Sequence, residues 1–536
     1  MKYLVTSALP YANAPLHLGH ALEIIQTDAW VRHKNLNGSE ALYFCASDTH
    51  GTPIMLQAEE LGVKPENLVA EMRDLHEATF KKFNVNLANF YTTHSEESKD
   101  LTQEIYSKLL DHKYIFTKQI SQLFDDEKQM FLSDRFVKGT CPHCGAKDQY
   151  GDGCEVCGKT YNALELISPV SELSQKKPSK KESKHYFFDL EKFTSFLSTK
   201  VQKISKQQPM INKMSEWLDS GLSSWDISRD GPYFGFKIPG EDAKFFYVWL
   251  DAPIGYLASI KHWCELNGKD FNNLIKSDST KLVHFIGKDI AYFHLLFWPA
   301  VLEAAGMKLP EEVFTHGFMT MEGKKMSKSR GNFISAEKAL EYAPADFYRY
   351  YISSKLNESV SDIDFSLEDF AEKVNSDLVG KFINIPSRIQ NFIYKHNQGK
   401  INPNTNSLNQ RFTSDYQTII NATETRNYAL AIRHIMKIAD EINLYVSENK
   451  PWDLEKTGDL QGCLEICSEA LVAFKSLVVL MEPYIPEISQ KIYKLLNLSD
   501  CTYSIVYEQG ISEINKYEHI IKLSLIHISE PTRHDQ

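Results

Sequence analysis

His17 and His20 sit three residues apart around Gly19, at the start of a helix-periodic apolar stretch. At i and i+3 both imidazoles can face the same side of a first helical turn. Gly19 between them lets a flat purine ring approach the backbone closely. Such a pair can hold phosphate, or it can be ordinary polar surface at a helix start. A second reactive group lies far along the chain, in Glu322-Gly323-Lys324-Lys325-Met326-Ser327-Lys328-Ser329-Arg330-Gly331-Asn332. Three lysines and an arginine alternate there with hydroxyl residues and two glycines, ahead of a helix that Ser335 could cap. Mobile ammonium groups on a glycine-flanked loop suit a triphosphate whose charge must be held while one bond breaks. Together the two groups point to a nucleotide site split between distant segments.

Asp48 and His50 lie in the turn-rich loop Ser47-Asp48-Thr49-His50-Gly51-Thr52-Pro53. Asp48 can bind an amine, or it can cap the helix that follows. Trp249, Tyr256, Ile290, His294 and Trp298 offer an aromatic lining with few charges, suited to an apolar side chain. They can equally be core. Cys141-Pro142-His143-Cys144 and Cys154-Glu155-Val156-Cys157 form two C-x-x-C knuckles, spaced to close a tetrahedral four-cysteine site with structural Zn2+. The other five cysteines are scattered, which suits reduced thiols. The run Lys176–Lys184 reads as a solvated loop, or alternatively as a contact to a phosphate backbone.

These residues need a fold that brings them together. Tyr3-Leu4-Val5 reads as a strand that feeds a turn and then a helix with Ala21, Leu22, Ile24, Ile25, Ala29 and Trp30 on its apolar face. Ala41–Ala46 reads as a second buried strand, followed by a helix over Ile54–Leu61. Phe245–Leu250 and Leu282–Gly287 read as further buried strands, the latter followed by a helix over Ile290–Leu302. In an open parallel sheet the ligand sits outside the carboxyl ends of the strands, where Asp48 and the two histidines would meet. From about Gly380 the amphipathic runs Phe382–Tyr394, Asn427–Glu448 and Leu464–Met481 predict a helix bundle. Trp452 interrupts it in Asn449-Lys450-Pro451-Trp452, either as core or as a base-stacking residue.

A chain of 536 residues, 43% hydrophobic and 24% charged, fits a globular protein of several domains. Its net charge of −11 argues against a nucleic-acid binder that uses its whole surface, while leaving room for a local basic groove. No apolar run reaches the ~18 residues of a membrane span. No secretory signal is visible, so a cytoplasmic protein is expected.

The motifs together resemble the methionyl-tRNA synthetases, a class I family of aminoacyl-tRNA synthetases, over nearly the whole chain to about residue 520. The resemblance rests on A-L-P-Y-A-N…H-x-G-H, with Leu18 in place of the commoner isoleucine, on A-S-D-x-H-G-T-P and on the double knuckle. It rests further on Y-V-W-L-D-A-P-I-G-Y, F-I-G-K-D-I…F-H…F-W-P and K-M-S-K-S.

It implies an α/β fold: a class I Rossmann-type catalytic domain with a zinc-binding insertion, then an all-α anticodon-binding bundle. The implied division is a split catalytic domain at 1–95 and 243–320, an insertion at 96–242, and the K-M-S-K-S loop with connecting domain at 321–380. The bundle follows at 381–520, and 521–536 is an irregular, non-native tail. The implied reaction joins methionine to Mg2+-ATP, giving methionyl-adenylate and pyrophosphate, and then passes methionine to the 3′ end of elongator and initiator tRNA(Met). The resemblance assigns catalysis to His17, His20, Lys325 and Lys328, with Tyr11, Asn13 and Gly19 completing the ATP site. Asp48 would receive the methionine ammonium group, and Ala8, Leu9, Trp249, Pro253, Tyr256, Ile290, His294 and Trp298 would enclose the side chain. Tyr256 and His294 are expected to bond weakly to sulfur. Trp452, Asn384 and Arg388 would contact the anticodon, although the spacing around Asn384 departs from the family pattern. A C-terminal OB-fold found in some members is not seen, which implies a monomer. The rival readings are a class I synthetase for cysteine or another apolar amino acid, and a non-catalytic RNA-binding scaffold. The intact His17, His20, Lys325 and Lys328 argue against the scaffold.

Overall fold

The computed structural model describes residues 1–321, 323–326, 333–499 and 501–516. Its centre is a five-stranded sheet of β1 (Lys2–Ser7), β2 (Glu40–Ser47), β3 (Asn89–Thr92), β4 (Thr280–Gly287) and β5 (Glu312–His316). The strand order is β5-β4-β1-β2-β3, every pair parallel, with Leu4 beside Leu282 on one side and Leu42 on the other. Strands buried on both faces need near-continuous apolar runs, which β1, β2 and β4 supply. The order reverses between β1 and β4, so the crevice at their carboxyl ends is where a ligand would sit. The expected Rossmann-type fold is the one found.

Helix α1 (Leu18–Leu36) covers one face, with Trp30 wedged edge-on against Tyr3, Phe285 and Phe314. Helix α2 (Val248–Leu266) lies on the other, in a core with Leu4, Phe44 and Leu282. The insertion between β3 and β4 carries a long antiparallel pair, Ile115–Asp125 with Ser179–Phe188. It also carries a small three-stranded sheet, Gln149–Tyr150, Val137–Thr140 and Ile167–Ser171. After α3 (Ala345–Lys355) the chain is mainly helical. Its bundle is built from α4 (Asn384–Asn397), α5 (Tyr428–Asn449), α6 (Pro451–Thr457) and α7 (Leu460–Met481). One core runs from Trp30 through Tyr350 and Tyr428 to Phe474, so sheet and bundle share it.

Three local expectations change. Of the expected Phe245–Leu250 strand only Phe245 and Phe246 pair in a sheet, within Lys244–Phe246, and Val248 already opens α2. An aromatic run fits both periods, but Trp249, Pro253 and Tyr256 recur at helical spacing, and that period wins. The lysines of 176–184 mostly lie on a strand rather than in a loop. Lys181 sits 3.4 Å over the Phe124 ring and pairs with Asp126, and Lys184 pairs with Glu241. The segment after β4 is no single α-helix: Lys288–Ile290 is a 3₁₀ turn, Phe293–Phe297 a π turn, and only Trp298–Ala304 regular. Such wide turns favour functional sites.

Lys328 and the tail at 521–536 lie outside the described residues. No helix among the described residues is long and apolar enough to cross a membrane.

Candidate active site

The turn after β1 delivers His17 to the cap position of α1, with extended backbone. The His17 backbone N–H donates to Nδ1 of His20 at 3.1 Å, and the two rings lie 3.8 Å apart. With Nδ1 accepting, neutral His20 carries its proton on Nε2, a donor available to a ligand. Burial, then the neighbouring His17, pulls the His20 pKa down to about 3. Gly19 is required between them: a Cβ there would stand 2.7 Å from Cε1 of His17. Tyr11, His17, Gly19, His20 and Glu23 line a cavity of about 350 Å³ together with Asp289, His316 and Met326.

The chain that leaves the lysine-rich loop is bonded directly to the histidine turn. Leu18 N–H donates to the Ile334 carbonyl, and Ala336 N–H donates to that of Leu16, both at 3.0 Å. Phe333 packs edge-on to His17 at 5.3 Å, and Ser335 caps the next helix through Lys338 N–H. On the other side of the loop, Lys325 lies on the short strand Lys324–Lys325, paired with Thr320–Met321, and Met326 enters the cavity. The two halves of the expected nucleotide site, far apart in sequence, are therefore adjacent.

A second cavity, about 640 Å³, shares Ala8, Leu9, Tyr11 and Ile290 with the first. Ala8, Leu9, Asp48, Trp249, Pro253, Tyr256, Ile290, His294 and Trp298 all line it. Asp48 is no helix cap, since Gly51 holds that place before Thr52. Its Oδ1 is buried without a hydrogen-bond partner. Burial, then the neighbouring Asp251, pushes the Asp48 carboxyl well above the usual range. A buried orphan carboxylate oxygen in a cavity is what an ammonium group would satisfy.

Tyr256 and His294 are not left with donors for sulfur. His294 Nδ1 lies 3.1 Å from the Ile290 carbonyl and must donate to it, so Nε2 accepts from the Tyr256 hydroxyl at 2.9 Å. Burial lowers the His294 pKa to about 4, which keeps the ring neutral. The hydroxyl and the ring nitrogens are thus paired among themselves, and beside Trp249, Pro253, Ile290 and Trp298 this part of the cavity presents aromatic and aliphatic surface.

Several lining residues escaped the sequence reading. Arg229, on the short strand Ser228–Asp230, stacks 3.6 Å over the Tyr247 ring and pairs with Asp226, in a segment without a motif. Glu23, paired with His316 at 2.9 Å, was detectable one helical turn after His20. Ser133, Asp134, Arg135 and Asp152 bring the insertion to the cavity mouth. Asn13 is exposed and lines neither cavity.

In the insertion, the four cysteine sulfurs lie within 4.8 Å of one another. Cys141 Sγ is 3.9 Å from Cys157 Sγ, and Cys144 Sγ is 3.5 Å from Cys154 Sγ. A tetrahedron with metal–sulfur bonds of about 2.3 Å has edges of about 3.8 Å, so the set fits a metal ion. Backbone N–H groups of His143 and Cys157 each approach the first sulfur of their knuckle at 3.4 Å. Gly145 and Gly158 close the knuckles at φ of 76° and 72°, where a side chain would be strained. Among the described residues no cysteine forms a disulfide.

In the bundle, Trp452 stands in the first turn of α6 and is half-buried. The Arg388 guanidinium lies 5.5 Å from its ring, held by Oδ1 of Asn443 at 3.2 Å and Oγ of Ser447 at 3.0 Å. Asn384 opens α4, one turn before Arg388 on the same side.

Residues 3–390 match the family model of class I tRNA synthetases (M), and residues 397–521 match that of the anticodon binding domain of methionyl tRNA ligase. The methionine–tRNA ligase of Neisseria meningitidis serogroup A is 49% identical over 97% of this chain and 78% of its own length. That of Neisseria gonorrhoeae gives the same figures. In fold, the chain is similar to a Mycobacterium tuberculosis methionyl-tRNA synthetase bound by methionyl-adenylate, with a TM-score of 0.80 at 22% identity. That likeness covers 97% of this chain and all of the other. Two matching models that span sheet and bundle, and near-half identity over almost the whole chain, make this protein a member of the class I methionyl-tRNA synthetase family.

Proposed function

We propose that this chain activates methionine with ATP and charges tRNA(Met), and that the residues described above divide the work as follows. The methionine ammonium group pairs with Asp48, and its side chain fills the apolar cavity closed by Trp298, Tyr256 and Pro253. ATP lies along the neighbouring cavity, its α-phosphate at the N-terminal end of α1, where free N–H groups and the helix dipole favour negative charge. The methionine carboxylate oxygen attacks the α-phosphorus, the bond to the β-phosphate oxygen breaks, and pyrophosphate leaves. His17 and His20 stabilise the charge on the transferring group. A polyphosphate raises the pKa of His20 from its low resting value, since a nearby anion favours the imidazolium. Lys325 and Lys328 hold the β- and γ-phosphates. No side chain acts as nucleophile, so catalysis is positioning plus charge stabilisation. The hydroxyl of the tRNA 3′-terminal adenosine then attacks the methionyl carbonyl and AMP leaves.

Cys141, Cys144, Cys154 and Cys157 would hold zinc, which supplies folding energy to the insertion. Mg2+ arrives with ATP. Tyr11 and Gly19 border the nucleotide, with Asn13 at its edge, and Trp452, Arg388 and Asn384 meet the anticodon. The division into a catalytic domain at 1–95 and 243–320, an insertion at 96–242, a connecting segment at 321–380 and a bundle at 381–520 follows this assignment of roles. A cytoplasmic location follows from the tRNA substrate.

The observation that carries this reading is the hydrogen-bonded junction of Leu16–Leu18 with Ile334–Ala336 at one cavity, together with the orphan carboxylate oxygen of Asp48 in the cavity adjoining it. Amino-acid-dependent ATP–pyrophosphate exchange across the twenty amino acids tests it. Methionine alone should give signal, and Lys328→Ala should abolish it; signal with another amino acid and none with methionine overturns the reading.

A further inference from the structure

Behind the methionine cavity, away from its lining, lies a fully buried imidazole on β4, His284. Its surroundings fix its protonation. Trp298 Nε1–H can only donate, and it does so to His284 Nε2 at 3.2 Å. The proton of the neutral ring is then on Nδ1, which donates to Thr6 Oγ1 at 2.6 Å. Burial, then His294, pulls the His284 pKa well below its ordinary value, in keeping with a neutral ring. The Tyr256 ring lies 4.9 Å from that of His284 at an interplanar angle of 33°. One imidazole thus anchors the indole that lines the cavity and packs against the phenol beside it, while Thr6 ties it to β1 just before Ala8 and Leu9.

Trp298 is itself fully buried, and among the described residues His284 is the acceptor of its ring N–H. An aliphatic residue at 284 would fill the space but strand a buried N–H, an arrangement that favours another setting of the indole. Trp298 forms part of the apolar wall, and its setting decides the shape offered to the side chain. Tyr256 is fixed separately by His294, so the two rings are held by different imidazoles.

We propose that His284 is a specificity-determining positioning residue: as the acceptor for Trp298 Nε1–H, it sets the indole against which the methionine side chain packs. The inference rests on the methionine reading of the cavity. The side chain is bound alike in ground and transition states, so its loss falls on KM rather than on kcat. The ATP cavity lies on the other side of Ile290 and does not contain Trp298.

The test measures ATP–pyrophosphate exchange by the full chain. Wild-type exchange with methionine comes first, since its failure removes the functional reading rather than this inference. With wild type active, His284→Leu should raise the methionine KM about tenfold or more, with kcat and the ATP KM within about twofold. His284→Gln, whose amide can accept from the indole and donate to Thr6, should recover most of the loss. An unchanged methionine KM in folded His284→Leu overturns the proposal. Equal losses in kcat and both KM values, without rescue by Gln, also overturn it. Should His284→Leu not fold, Thr6→Val decides: it removes the hydroxyl that holds the tautomer, and a raised methionine KM at constant ATP KM supports the proposal, whereas no change overturns it.

Discussion

Asp48 is held in a state that the free protein would avoid. Its Oδ1 is buried without a partner, and Asp251, equally orphaned at Oδ1, lies close enough to act on it electrostatically. Such a site costs stability while empty and returns it when an ammonium group arrives, a common trade at binding sites. The sign follows from linkage. An acid with a raised folded-state pKa binds more protons folded than unfolded, so stability falls as pH rises from the unfolded value near ~4 toward the folded one. Asp48→Asn removes that loss. We expect it to raise the melting temperature of the free protein at pH 7 while lowering kcat/KM for methionine at least about a hundredfold, because a buried charge pair is broken. In the wild type, methionine should bind more tightly as pH rises through the same window and release a proton on binding, which calorimetry in buffers of different ionisation enthalpy can count. A melting temperature that falls in Asp48→Asn, with methionine binding intact, would contradict the assignment.

Helix α1 bears His17 and His20 at one end and is anchored along its body. Asp28 accepts from Arg349 and Arg32, each at 2.7 Å, while Arg349, fully buried, also donates to the carbonyls of Phe83, Pro483 and Tyr484. Arg349→Met keeps much of the volume but strands those acceptors and weakens the pairing of Asp28. A loss of about 3–5 kcal/mol is expected, read as a lower urea midpoint. An unmoved midpoint would mean that Arg32 alone suffices. The knuckles make a parallel case in a smaller element. The cysteine-bearing segment has only a small apolar cluster of its own, around Leu132, Val137, Ala163 and Leu166. Metal removal should therefore unfold the insertion locally, seen as faster amide exchange over residues 137–171 with the sheet still protected. Exchange unchanged by a chelator, in protein shown to contain one metal ion, would refute a folding role. These elements also mark what the sequence made legible. His17, Gly19, His20 and the knuckles could be read because local spacing fixes their geometry. Parallel strands were legible in β1, β2 and β4 as short buried runs. The start of α2 was misread because a short aromatic run fits both the strand and the helix period, and only its continuation to Leu266 decides between them. His284 and Arg349 were invisible for another reason: partners such as Thr6 and Asp28 lie on other elements, and a tertiary hydrogen bond leaves no local pattern.

The whole molecule is joined by bonds between the catalytic sheet and the bundle, and these bonds converge on α1. Tyr428 on α5 donates to the Gln26 carbonyl at 2.9 Å, and Trp30 Nε1 donates to that of Glu424 at 3.3 Å. The Glu424 carboxylate in turn meets His33 and Lys34. Burial pushes the Glu424 carboxyl up, but those two partners outweigh it and bring it down to about 2. A bundle fixed so firmly to the helix that bears His17 and His20 can set where a bound tRNA lies relative to the adenylate. Trp452 lines neither cavity, and among the described residues none of their lining comes from the bundle. The two half-reactions therefore make separate demands on the molecule. On the proposed assignment, activation uses the sheet and its loops, while charging also needs the bundle. Base stacking on an aromatic ring contributes about 1–3 kcal/mol per base, so Trp452→Ala should weaken tRNA charging by about 5- to 150-fold in kcat/KM for tRNA. ATP–pyrophosphate exchange should stay at the wild-type rate, because Trp452 lines neither cavity. Arg388→Ala should follow in the same direction, since its guanidinium steadies the indole and is itself fixed by Asn443 and Ser447. Equal losses in exchange and charging would place Trp452 in the stability of the core it packs against rather than in tRNA recognition.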